Sequence, residues 1–171
     1  MGDNVPRADD YFEASQSRFQ EAVSLYKNNF YVGAAYLAGC PIEATFWAFV
    51  PPERELGQRG RHNLQQLYEA GLGERIDARY RERFRSGASV GEHAIKLKDL
   101  SRQISANLTI ASTRWANSYR YYPESRILNI AKKLARRKKD SKDPLKRTVN
   151  ELLDASKFFV GLGIQKRAWI V

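Results

Sequence analysis

Glu43 is the side chain most out of place in this sequence. It lies in GAAYLAGCPIEATFWAF, residues 33–49, with small apolar residues before it and aromatic ones after it. Burying a lone carboxylate costs several kcal/mol or raises its pKa, so Glu43 needs a partner. Trp47, four residues on, cannot form an ion pair. The expected partner is an arginine from elsewhere, Arg114 or Arg120 first and Arg61 second, with Glu43 as a structural polar anchor rather than a catalytic acid.

A second constellation pairs cations with rings. Arg114, Trp115, Tyr119, Arg120, Tyr121 and Tyr122 fall within STRWANSYRYYPESR. Guanidinium forks fit phosphates and aromatic planes stack on bases, whereas Trp115 also reads as core at the end of a bundle. Further on, residues 131–147 read AKKLARRKKDSKDPLKR, nine Lys or Arg against Asp140 and Asp143, so seven of the ten net positive charges fall there. Lys132, Lys133, Arg136, Arg137, Lys138 and Lys139 are candidate phosphate contacts, with Arg120 and Tyr121 beside them. The same segment reads equally as a solvated helix face.

Other chemistries find little support. The two histidines and the single cysteine are far apart, with no HExxH or CxxC spacing, so neither a metal nor a cofactor is expected. Gly161-Leu162-Gly163 follows no strand and reads as a helix terminator rather than a phosphate loop. Glu151 and Asp154 read as surface charges. Cys40 cannot close a bridge within the chain and reads as a buried, inert thiol in a reducing, cytoplasmic setting. No signal pattern opens the chain, and no apolar run approaches the roughly 20 residues that span a bilayer.

The elements that must position these residues are helical. Residues 8–28 carry Tyr11, Phe12, Phe19, Ala22, Val23, Leu25 and Tyr26 at three- and four-residue spacing, an amphipathic helix. Phe30 to Val50 follows as a small-residue helix placed centrally, kinked ahead of Glu43 by Pro41 and stopped by Pro51-Pro52. Asn63 caps a short helix that Gly71 ends. A basic helix spans residues 74–85. The longest helix starts near Val90, with Ser89 and Glu92 as a capping box, and runs to about Thr113. Two more span residues 124–139 and 144–160, the last closed by Gly161 and Gly163. The class is all-α: an antiparallel up-and-down bundle of four to five main helices plus a short one, in one domain over residues 1–171.

Taken in order, YVGAAYLAGCPIEATFWAF, RGRHNLQQLYEAG, WANSYRYYP and the closing GIQKRAW resemble the bacterial and archaeal branch of the HEPN family, the higher eukaryotes and prokaryotes nucleotide-binding domain. The likeness covers roughly residues 8–170 and rests on the order and spacing of individually weak motifs. It implies an up-and-down bundle, frequently a homodimer, serving RNA-centred defence or toxin-antitoxin systems. Many members are metal-independent ribonucleases in which an Arg and a His separated by four to six intervening residues act at a dimer cleft.

That pair is missing here. His62 would need an arginine where Glu55, Leu56 and Gly57 stand, and His93 where Ser86, Gly87 and Ala88 stand. Trp47 also replaces the Lys or Arg that relatives commonly carry four residues after the Glu. The resemblance therefore implies an accessory protein that binds RNA, another nucleic acid or a nucleic-acid-bearing complex. Its alternatives are a ribonuclease using His62 with Arg61, Arg114 or Arg120 brought close by the fold, and a partner subunit for a neighbouring-gene nucleotidyltransferase or other effector. His62 has a plain reading too, as a side chain hydrogen-bonded at the helix start that Asn63 caps.

Overall fold

The computed structural model describes residues 6–57, 62–85, 90–135 and 143–169, and every regular element among them is helical. Helix α1 spans Ala8–Lys27 and opens with the Asp10 carboxylate accepting from the Arg7 amide at 2.7 Å. It ends in a tight turn at Asn29, whose φ of 64° is left-handed, a region asparagine tolerates better than most residues. The Asn29 side chain is held there by the Tyr31 hydroxyl at 2.7 Å.

The central small-residue stretch forms two helices, α2 at Tyr31–Leu37 and α3 at Cys40–Trp47, where the sequence pattern suggested one kinked helix. Pro41 has no amide hydrogen to donate and its ring crowds the carbonyl of residue 37, so the break falls at Ala38-Gly39. Gly39 has a further role. A Cβ there would lie 2.2 Å from the indole of Trp115, so only glycine lets that ring pack over the break.

Asn63 caps α4, Leu64–Tyr68, accepting from the amides of Gln65 and Gln66 at 3.1 and 3.2 Å. Gly71 does not end the helical path there. The chain continues through a π-turn, Glu69–Gly73, into α5, Glu74–Arg85. A Cβ on Gly71 would come within 2.8 Å of the Phe49 carbonyl carbon, so this glycine serves close approach to the end of α3.

Helix α6 spans Val90–Arg114 and buries Ile104, Leu108 and Ala111, one stripe at helical spacing. Its proposed Ser89 cap lies outside the described residues. A 3-10 turn, Asn117–Tyr121, leads to α7 at Glu124–Ala135. Helix α8, Pro144–Lys166, starts at an Asp143 cap that accepts from the Lys146 amide at 2.9 Å. Gly161 and Gly163 do not close it, since the helix runs through both. Gly163 is a contact point: a Cβ there would lie 2.5 Å from the Thr45 methyl.

Helix α8 packs against α1, α2, α3, α6 and α7, which makes it the axis of the bundle. Its buried residues include Val149, Leu152, Ala155, Phe159 and Leu162. The Phe159 ring meets Phe46 of α3 edge-on at 4.9 Å, and Phe12 of α1 meets Phe49 at 5.6 Å. Aromatic pairs of this geometry contribute about 0.5–1.5 kcal/mol each beyond the area they bury. Among the described residues no helix is long and apolar enough to cross a membrane.

Candidate functional site

Helix α3 brings Glu43 to the edge of the core, with 16% of its side chain exposed. Among the described residues its ion-pair partner is His62 rather than Arg114 or Arg120, and Arg61 lies outside them. Nδ1 of His62 lies 2.7 Å from Glu43 Oε1, and His62 itself is half exposed, so the pair sits at the surface with its acidic member inward. The Asn63 cap fixes the backbone next to His62, which is how a loop residue comes to meet a helix 19 positions earlier. An ionised carboxylate only accepts, so it selects the tautomer with hydrogen on Nδ1 and leaves Nε2 as the ring acceptor.

Three further groups surround this pair. The Trp47 side chain hydrogen-bonds Glu43, so the indole removed from the ion-pair role still supplies a donor. Tyr11 of α1 stacks on Trp47, with ring centroids 6.2 Å apart and planes 18° from parallel. Arg120, at the end of the 3-10 turn, lies near enough for its charge to favour the ionised Glu43, although its own side-chain bonds go to Tyr36 and Tyr121. Burial pushes the Glu43 pKa above its ordinary value, against the His62 hydrogen bond and charge and the Arg120 charge. Burial likewise raises Tyr11, helped by the Glu43 charge, and lifts the Cys40 thiol to about 11. A thiol so rarely ionised is a poor nucleophile.

Arg114 is placed elsewhere. It pairs with Glu151 of α8, which also accepts from Arg147 Nε at 3.2 Å. Glu151 is therefore no bare surface charge, and Arg114 ties α6 to α8 rather than serving Glu43 or His62. Its Nε is buried and unbonded among the described residues. Trp115 is core, as its alternative reading had it, with the indole Nε1 donating to the Tyr36 carbonyl at 2.8 Å.

The other candidate residues divide cleanly. Arg120 sits over the ring of Tyr121, 4.8 Å from its centroid, and Tyr121 is 74% exposed. Beside them Arg126 lies 3.7 Å above the Tyr122 ring. Lys132 and Lys133 are exposed on α7, and Lys133 stands seven residues from Arg126, two helical turns along one face. Arg61, Arg136, Arg137, Lys138 and Lys139 lie outside the described residues, as does the His93 side chain.

Tyr11, Tyr36 and Arg126 were missed as neighbours of these sites, and Trp47 was weighed only as an ion-pair partner and not as a hydrogen-bond donor. For Trp47 a signal existed: spacing of four from Glu43 puts both on one helix face. Among the described residues no cluster of three or more His, Cys, Asp or Glu could hold a metal ion. No family model, curated protein or solved structure matches this chain.

Proposed function

We propose that this protein is a HEPN-like, up-and-down helical module that binds RNA through the surface running from Arg120 and Tyr121 to Lys132 and Lys133. The observation that carries this reading is the exposed Tyr121 ring under a guanidinium, with a second arginine-tyrosine pair next to it. An exposed ring offers a base a face to stack on, a contact worth about 1–3 kcal/mol. The lysines of α7 and a net charge of +10 add the phosphate attraction that such binding needs.

Fluorescence anisotropy of the full chain with a labelled single-stranded RNA of about 10–15 nucleotides tests it. Affinity should fall steeply with salt, and Tyr121→Ala and the double change Lys132→Glu, Lys133→Glu should each weaken it by about tenfold. Salt-independent affinity, or none for RNA, refutes the reading.

The Glu43-His62 pair favours a second reading, RNA cleavage without a metal. A carboxylate that orients imidazole leaves Nε2 positioned to take the proton of a ribose 2′-hydroxyl. A cleanly purified His62→Ala variant that retains every RNA-degrading activity of the parent chain removes this second reading.

A further inference from the structure

A cleft of about 520 Å³ opens between the start of α1, the end of α3 and the Pro51-Pro52 turn, and none of its lining residues belongs to the arginine-tyrosine surface. Tyr11 and Trp47 line it with their rings 18° from parallel, and Val50 adds aliphatic wall. Pro51 and Pro52 carry no backbone N–H, so their part of the wall presents ring carbon rather than amides. Size and apolar lining are the marks of a small-molecule site, whose volume is commonly about 300–1,000 Å³.

The polar groups of the cleft are already engaged. An indole has one N–H donor and Trp47 hydrogen-bonds Glu43, so this ring gives the cleft carbon only. Arg54 is bridged to Glu74 at 3.0 Å, Arg7 stands 3.9 Å from the Asp10 carboxylate, and Arg75 donates to the Phe49 carbonyl at 3.4 Å. An anion entering here would give up hydration for guanidinium groups that are bonded elsewhere. A cation would meet no carboxylate among the described lining residues. A flat, neutral ring escapes both costs: it leaves water for carbon walls and packs on aromatic side chains. We infer that the cleft binds an uncharged, flat aromatic compound seated against Tyr11 and Trp47.

The probe is N-phenyl-1-naphthylamine, an uncharged fluorophore, titrated into the full chain and followed by its emission. It should bind saturably at one site per chain. Competitors that share one naphthalene body then sort the charge: 2-naphthylmethanol is neutral, 2-naphthoate an anion and 2-naphthylmethylamine a cation at neutral pH. The alcohol should displace the probe about fivefold or more better than either ion, because only the ions surrender hydration without gaining a new partner. Tyr11→Leu and Trp47→Leu should each weaken probe binding by about three- to tenfold, with circular dichroism confirming the fold. No saturable binding, several equivalent sites, an ion that displaces as well as the alcohol, or full affinity in the folded variants overturns the assignment. The competition series on the unaltered chain decides the matter even where a variant fails to fold.

Discussion

His62 Nδ1 and Glu43 Oε1 lie 2.7 Å apart, joining the loop before α4 to the middle of α3. Glu43 therefore secures two donors, this imidazole and the Trp47 side chain. Glu43→Ala strands both and should cost about 1–3 kcal/mol in urea unfolding, whereas Glu43→Gln keeps an acceptor oxygen and should cost less. Equal losses would show that the hydrogen bonds contribute nothing.

The pH dependence of this carboxylate has a definite sign. Its folded pKa is raised above the ordinary 4.5, chiefly by burial. Its contribution is thus fully present below pH 4.5 and is lost as pH rises through the folded value. Glu43→Gln should flatten that part of the stability profile, compared by thermal melts from pH 4 upward. An unchanged slope would mean that burial of Glu43 has no thermodynamic weight.

Glu151 runs the other way. Burial opposes its ionisation, but Arg114 and Arg147 outweigh that and hold its pKa below 4.5. It stabilises the fold above 4.5 and that contribution is lost as pH falls through the folded value. Arg114→Met should destabilise the chain at neutral pH by about 1–3 kcal/mol, with the deficit narrowing in acid. A deficit of constant size would point to lost packing alone.

Gly161 and Gly163 should respond oppositely to alanine. A Cβ on Gly161 meets open space, while one on Gly163 meets the Thr45 methyl at 2.5 Å and Phe12 at 3.2 Å. Both are inside α8. Gly161→Ala should stabilise by about 0.5–1 kcal/mol through helix propensity. Gly163→Ala should destabilise by about 1–3 kcal/mol through overpacking. Calorimetric melting of the two variants settles the signs.

Gly39→Ala meets a harder obstacle, because the Trp115 indole is 2.2 Å from the new atom. A loss of about 1–3 kcal/mol is expected, and Trp115→Leu in the same chain should recover part of it. Strict additivity in that double-mutant cycle would deny the contact.

Helices were readable because apolar spacing along α1, α6 and α8 is a local property of the chain. Pro41 also announced its own break. Glycines misled, because the same residue ends a helix when φ turns positive and marks a close approach when another element presses on it. Gly71 and Gly163 are of the second kind, and only packing tells them apart. Glu43 was recognisable as needing a partner, but which side chain met it depended on where the fold places His62, information no spacing carries. Lys132, Lys133, Arg120 and Tyr121 stood out by composition, whereas the pairing of Arg126 with Tyr122 emerged only from the turn between them.

The π-turn at Glu69–Gly73 acts as a one-residue insertion in a rod that would otherwise run unbroken from α4 into α5. A wider turn takes up the surplus residue within one loop of the helix, so rotation and rise past it stay close to those of an α-helix one residue shorter. Deleting a single residue between Glu69 and Gly73 should therefore close the turn into ordinary α-helix and leave Arg75, second in α5, still aimed at the Phe49 carbonyl.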